Sequence, residues 1–273
     1  MTKKIERHLI ILLAALGVGC NSDEGIRLQT DQSFEGEEMY MVSKILDEHL
    51  PFIIQRPTFF LQQDPDLHLP DCPTISVDEQ TGDIALIFEE NACETTSNNR
   101  IGNVLIRYSN VPLTTGDSVI VSFENYRFEN HQVLGTRILR LVGLNRERRV
   151  FEESSEDLLI VTPKNHSTRV AANFTFEIIE SEGTIARVRS HGTASGRNRG
   201  GMPFEAEVLE TKVFENPCIN RPLLRPVSGV EVWEIERNPA SKIVHRQTFH
   251  HEGDCVTHTL IRLDEGVEMK KTP

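Results

Sequence analysis

The chain has 273 residues, is 38% hydrophobic and 26% charged, and carries a formal net charge of −12. That length suits one large domain or two small ones, and the acidic balance repels phosphate backbones, so no nucleic-acid partner is expected. Beyond the N-terminus no run approaches the ~18–20 apolar residues that cross a bilayer as a helix.

Residues 1–20 have three parts. Lys3, Lys4 and Arg7 make a positive start, Leu9 to Leu16 an apolar run too short to span, and Gly17-Val18-Gly19 a small-residue approach to Cys20. This is the layout of a secretory signal. A cysteine at the cleavage point can be diacylglycerylated and become the new N-terminus. Each buried acyl methylene is then worth about 0.8 kcal/mol, and more than one chain makes the anchor stable. The segment resembles a bacterial lipobox, with Gly17 where leucine is usual and Leu16 one place further back. Residues 1–19 are therefore read as a signal peptide, Cys20 as the lipidation site and residues 20–35 as an acidic tether. Asn21-Ser22-Asp23-Glu24 is similar to the stretch that sends Bacteroidota lipoproteins to the outer face of the outer membrane. The expectation is a lipid-anchored outer-membrane protein at the cell surface, with the periplasmic face as the alternative.

Residues 36–70 read as a short helix and a Pro-rich connection. Tyr40, Met41, Ile45, Leu46 and His49 recur at helical spacing within Glu37 to Leu50. Ser33 is the expected cap and Pro51 the expected stop. Pro51, Pro57, Pro65 and Pro70 then favour an extended chain.

From residue 71 to 273 nearly everything alternates with period two. Thr74–Val77 and Ile84–Phe88 flank a turn at 78–83. Val104, Ile106 and Tyr108 follow, then Val119, Val121 and Phe123, then Val133 to Val142. Phe174, Phe176 and Ile178 come next, then Phe204, Ala206 and Val208, then Trp233 and Ile235, and last Thr257 to Leu263. Alternation means one buried and one solvated face, the mark of antiparallel sheets. The fold class expected is mainly β: an antiparallel meander of about ten to twelve strands, with one short N-terminal helix. Periodicity does not choose between a curved sheet, a sandwich and a barrel. The charged stretch Arg146 to Asp157 reads as a long loop.

Four cysteines remain after Cys20: Cys72, Cys93, Cys218 and Cys255. An even number in an exported chain points to two disulfides. Three pairings are open, of which adjacency favours Cys72–Cys93 and Cys218–Cys255. No Cys-x-x-Cys spacing is present to suggest a zinc module.

The order of short pieces resembles a group of uncharacterised all-β exported lipoproteins of Bacteroidota. The pieces are Cys72-Pro-Thr-Ile-Ser-Val77, Ile84 to Phe88 with Cys93, Gly102 to Tyr108, Val119 to Tyr126, Val133 to Arg137, Gly192 to Gly196 with Asn198-Arg199, Cys218, Val227-Ser-Gly229 and Gly253-Asp-Cys255. The likeness covers roughly residues 72–263. It implies an exported β protein with the two local disulfides, and it implies no reaction.

Several groups invite chemistry. His245, His250, His251 and His258 with Glu252 are dense enough to suggest zinc or copper. They also fall on both faces of their strands, and solvated strand histidines are the stronger expectation. Ser195 in Gly-Thr-Ala-Ser-Gly lacks the Gly-x-Ser-x-Gly spacing of a nucleophile elbow. Gly192 and Gly196 more simply allow close strand packing or a bulge. Arg187, Arg189, Arg197 and Arg199 form the one basic concentration and suit a carboxylated or sulfated glycan, or else they pair with Glu205 and Glu207 on a neighbouring strand. Asp117-Ser118-Val119 resembles a Bacteroidota O-glycosylation acceptor, with Ser118 the attachment point. Catalytic carboxylate pairs cannot be picked out by spacing in so acidic a chain, and Trp233 reads as core. The expected role is a non-enzymatic surface binding or structural module with no cofactor and a protein or glycan partner. Its rivals are an envelope- or polysaccharide-acting hydrolase and a lipid or small-ligand carrier.

Overall fold

The computed structural model describes residues 24–61, 69–78, 80–90, 99–221, 223–238 and 241–272. The chain divides into residues 1–35, described only from Glu24 as the first turns of a helix, and Gly36–Pro273, which holds the rest. Cys20 and Cys93 lie outside the described residues.

Three helical pieces come first: α1 (Glu24–Glu48), α2 (Leu50–Ile53) and α3 (Pro57–Leu61). Pro51 does not end the helical run. It sits in the first turn of α2, where its missing N–H is not needed. Ser33 lies inside α1 rather than at its start.

Fifteen strands follow: β1 (Thr74–Val77), β2 (Ile84–Phe88), β3 (Arg100–Tyr108), β4 (Ser118–Phe128), β5 (His131–Leu134), β6 (Thr136–Leu144), β7 (Arg148–Glu153), β8 (Ser155–Val161), β9 (Ser167–Ser181), β10 (Thr184–Arg197), β11 (Pro203–Glu215), β12 (Ser228–Asn238), β13 (Ser241–Gly253), β14 (Val256–Arg262) and β15 (Glu268–Lys271). They make one antiparallel sheet, so the fold is mainly β with a helical N-terminal segment. Sequence neighbours pair throughout, with one fork. β4 pairs with β6 over Ser118–Ser122 and with β5 at Arg127 and Phe128. β9 likewise pairs with β8 at one end and β7 at the other. The β6–β7 and β5–β8 pairs thus bridge β4 to β9 side by side.

The alternation read from sequence is the burial seen. Val119, Val121 and Phe123, then Val170, Ala172, Phe174, Phe176 and Ile178, point into one continuous apolar core, which Trp233 and Ile235 join. The stretch Arg146 to Asp157 is the exception to the expectation, since it forms β7 and the start of β8. Its inward positions include Arg149 and Glu153, so charges occupy places where a hydrophobic pattern would have revealed a strand.

The sheet must curve, because one short helix meets strands far apart in its order. Glu48 receives Arg100 Nε of β3 at 2.7 Å, while the preceding Asp47 receives Lys212 Nζ of β11 at 2.6 Å, and Lys212 also reaches Glu231 of β12. In a flat sheet β3 and β12 would stand about 34 Å apart at ~4.8 Å per strand. A helix with its side chains is only about 10–12 Å across. At the other end of the sheet, Lys271 of β15 bonds Glu37 at 2.7 Å.

The enclosed helix is polar. Residues 42–55 are all buried, among them Ser43, Lys44, Asp47, Glu48, His49 and Gln55. Glu48 also accepts from Tyr126 Oη at 2.7 Å, and Arg100 continues to Asp71 at 2.9 Å. Arg137 grips Glu153 with two bonds of 2.7 and 2.8 Å and donates to the Leu46 carbonyl at 2.7 Å. The last turn of α1 has no basic residue of its own, so arginines from the strands meet the negative end of its dipole.

Two consequences are measurable. Arg100→Met removes the buried cation that Glu48 and Asp71 share and should lower the unfolding free energy by about 3–5 kcal/mol in urea titration. Burial opposes ionisation of Glu48, but His49, Arg100 and Tyr126 outweigh it and hold the carboxyl at about 2. Its folded value is therefore depressed. The stability it contributes is present above its ordinary value of 4.5 and is lost as pH falls towards 2. Glu48→Gln should flatten the stability curve in that window, and an unchanged slope would remove Glu48 from the account of acid unfolding.

Candidate functional site

An open groove of about 740 Å³ lies on the outer face of β9 to β13. Its shape follows from strand register. Arg169 on β9 stands directly opposite Arg197 on β10. Two residues along β10, Ser195 stands opposite Glu205 on β11, and Glu205 stands opposite Glu234 on β12. Glu236 on β12 stands opposite Lys242 on β13. All of these residues line the groove. The Arg169–Arg197 pair and the Glu205–Glu234 pair therefore lie in rows about 7 Å apart along the strands, and Glu236 and Lys242 continue the arginine row on β12 and β13.

Direct cross-strand neighbours have Cβ atoms roughly 4.5–5.5 Å apart, and like charges placed so are destabilising. The groove contains two such pairs, Arg169 with Arg197 and Glu205 with Glu234. Neighbouring groups relieve them only in part. Arg197 Nη1 donates to the Gly201 carbonyl at 2.9 Å, Arg169 meets Asp157 at 3.4 Å with both side chains largely in solvent, and Lys242 meets Glu234 at 2.8 Å. Exposed pairs of this kind contribute at most about 1 kcal/mol. The aromatic side chain in the lining, Phe204, is buried against Trp233, so the surface offers polar contacts rather than a stacking platform.

The two glycines flanking Ser195 are needed by the backbone. Gly192 sits at the bulge between β10 and β11 with φ +142°, and a Cβ there would lie 2.2 Å from the Asn173 carbonyl oxygen. A Cβ on Gly196 would lie 1.9 Å from the Arg169 carbonyl oxygen. These contacts account for the Gly-Thr-Ala-Ser-Gly spacing by packing. Ser195 faces the groove, and no histidine is among the groove's described lining residues.

The four arginines separate. Arg187 and Arg197 are ten residues apart on one strand, about 33 Å. Arg187 pairs with Glu215 at 2.6 Å and Arg189 with Glu177 at 3.7 Å, neither of them the Glu205 or Glu207 expected from sequence. Arg199 turns to the helix, its Nε donating to Glu38 at 3.1 Å. Arg197 alone of the four lies on the floor of the groove beside Arg169, and Arg199 lines one end.

The C-terminal histidines divide as their alternation suggested. His250 and His258 stand opposite each other on β13 and β14, while His251 stands opposite Thr257. His258 Nε2 meets Glu252 at 2.5 Å, and that bond holds the exposed Glu252 carboxyl below its ordinary value. His245 is buried beside Trp233. Among the described residues no three His, Cys, Asp or Glu side chains are arranged to hold a metal ion. Cys218 and Cys255 are bonded, tying the turn after β11 to the β13–β14 hairpin, and Cys72 is also disulfide-bonded. Ser118 opens β4, directly after a turn in which Asp117 accepts from Thr114 and Asn110. Those bonds hold the Asp117 carboxyl at about 2.

Arg169, Glu205, Glu234, Glu236 and Lys242 were not picked out from sequence as a site. Each is an ordinary outward residue of an alternating strand, and only the register of five strands gathers them. Compared with known protein families, with curated proteins and with solved structures, the chain matches none. Among the described residues no helix is long and apolar enough to cross a membrane.

The close approach at Gly196 is testable. Gly196→Ala should destabilise the protein by about 2 kcal/mol or more, since backbone rather than a flexible side chain must move. Gly183→Ala, at φ +84° with open space around it, should cost only about 1 kcal/mol. Equal urea midpoints for the two variants would discard the close contact as the reason for Gly196.

Proposed function

We propose that this chain is a lipid-anchored cell-envelope protein, held through Cys20, whose β body binds an acidic glycan in the groove across β9 to β13. The observation that carries the binding role is the pair of like-charged neighbours, Arg169 with Arg197 and Glu205 with Glu234. A fold that matches its interior charges with opposite ones leaves these to be relieved from outside. A sugar carboxylate or sulfate on the two guanidinium groups would remove the first repulsion through charge-assisted, bidentate contacts. Ring hydroxyls donating to Glu205 and Glu234 would use the second. A groove open along its length suits a segment of polymer, and the scarcity of exposed aromatics fits recognition by charge and hydrogen bonds.

The last turns of α1, residues 42–48, are buried against the inside of the sheet, where a carrier for lipid or a small ligand would keep an apolar cavity. This favours the outer face as the working surface. The anchor rests on the N-terminal signal layout and the resemblance at Cys20, and outer-membrane attachment at the cell surface follows from the same residues.

A hydrolytic reading has one observation behind it: Glu205 and Glu234 are cross-strand neighbours, within the range in which paired carboxylates act on glycosidic bonds. Lys242 already engages Glu234, and the groove is broad, so binding remains the preferred role.

Calorimetric titration with oligogalacturonate, a carboxylated glycan, tests the groove. Arg169→Ala and Arg197→Ala should each weaken binding about tenfold, and affinity should fall steeply with added salt. Equal affinity in all three proteins would overturn the assignment, and release of shortened sugars that stops in Glu205→Gln would replace it with the hydrolase. Metabolic labelling with a clickable fatty acid tests the anchor: label should be present in the wild type and absent in Cys20→Ala, and protease shaving of intact cells should remove the wild-type protein. An unlabelled wild type would sink the anchor.

A further inference from the structure

A second cleft, of about 290 Å³, opens where the link between α2 and α3 meets β7, the β9–β10 hairpin and the turn at Cys218–Asn220. Three charged residues line it: Arg56, Arg149 and Glu180. Glu180 serves both arginines. Arg149 donates to its Oε1 from Nε at 3.0 Å and from Nη2 at 2.7 Å. Arg56 Nε donates to the same oxygen at 3.1 Å, and Arg56 Nη2 bonds Oε2. One carboxylate between two guanidinium groups leaves a net charge of +1 at the cleft.

Arg149 is 1% exposed, and its Nη1 is buried without a hydrogen-bond partner among the described residues. A buried N–H of a charged group left unbonded is costly. Burial and the neighbouring Arg56 both push Arg149 below its ordinary value, which is how a site short of negative charge behaves. Neutral hydrogen-bonding groups on Gln55, Thr58, Thr184, Asn216 and Asn220 line it too, with Phe59, Ile185 and Ile219 as its apolar walls. Beside the cleft lies a recess of about 70 Å³ that shares Arg56, Thr58 and Arg149 with it and is otherwise apolar, with Pro112, Leu113 and Leu141 among its walls. Polar and apolar compartments thus meet at the two arginines.

We infer that this cleft is a binding site for a small monocarboxylate with a short alkyl tail, its carboxylate on Arg149 and Arg56 and its tail in the recess. The charge selects the head: a monoanion neutralises the +1, whereas a phosphate monoester at about −2 would leave an uncompensated charge in a largely buried place. The size of the recess limits the tail to a few carbons. This site uses no residue of the groove and stands independently of the glycan reading.

The test is calorimetric titration of the full chain with butyrate, acetate, butyramide and inorganic phosphate. Butyrate should bind saturably and at least tenfold more tightly than each of the other three. Arg149→Met should abolish binding, but it also takes two hydrogen bonds from Glu180, leaving it only Arg56, and can unfold the protein. Arg56→Met is the second variant, since the Arg56 side chain is 45% exposed. It should stay folded by circular dichroism and bind butyrate about tenfold more weakly. Saturable butyrate binding lost in a folded Arg56→Met supports the assignment. Absence of butyrate binding to the folded wild type, equal binding of butyramide, preference for phosphate, or unchanged affinity in Arg56→Met would each overturn it.

Discussion

The last turns of α1 place Lys44, Asp47, Glu48 and His49 beyond the reach of bulk water, and each of these groups then needs its complement on a strand. Taking an ion out of water costs several kcal/mol even after relaxation, and only a close, well-bonded partner offsets it. The strands supply those partners from widely separated places: Glu129 after β4 for Lys44, Arg100 on β3 for Glu48, Arg137 on β6 for the helix carbonyl, Lys212 on β11 for Asp47. A sheet that stayed flat could serve the ions beside β3, β4 and β6, which are neighbours, but would leave Asp47 far from Lys212 on β11. Curvature around the helix is the condition under which all of them are met.

The same ions fix register. In a strand, a slip of one residue sends every inward side chain outward. Apolar positions tolerate neighbours of similar size, so Val, Ile and Phe alone specify an alignment loosely. Lys212 is different. It lies between Asp47 and Glu231, and burial among a second carboxylate raises Asp47 to about 6 even with the lysine beside it. A slipped β11 would leave two carboxylates together in the interior and an ammonium group on the surface. Such groups add little net stability over well-packed apolar side chains. Their effect here is to make the wrong alignments of a fifteen-stranded sheet far worse than the right one.

That interior explains which parts of the molecule were legible in sequence. Strands with Val, Phe and Ile facing inward, such as β4 and β9, were plain from alternation alone. β7 was not, because its inward residues Arg149, Phe151 and Glu153 mix charge with apolar bulk and read as a loop. The helix was placed by Tyr40, Ile45 and Leu46. The burial of its last turns was hidden, since a segment with Lys44, Asp47 and Glu48 looks amphipathic until the partners of those charges are seen. The fork at β4 and β9 left no local signal either. In the groove, Arg197 carried a local basic cluster and was legible, whereas Arg169, Glu205 and Glu234 depend on strand pairings between residues about thirty apart in sequence, which no spacing rule reaches.

Charge is matched inside the sheet and over much of its outer face, where Arg187 meets Glu215 and Arg189 meets Glu177, but not in the groove. Inside, each ionised group described above lies against one of opposite sign, even where that draws in a residue from across the fold. Outside, along β9 to β12, arginine faces arginine and glutamate faces glutamate. Water screens exposed charges, so the repulsion is tolerable, but nothing in the folding problem asks for it: exchanging Arg197 and Glu205 would have turned two repulsive rows into attractive ones at no loss of packing. An arrangement that the fold does not need and slightly resents is where a requirement other than folding is to be sought. In this molecule that requirement coincides with an open groove of about 740 Å³, which ties the electrostatic argument and the shape to one surface.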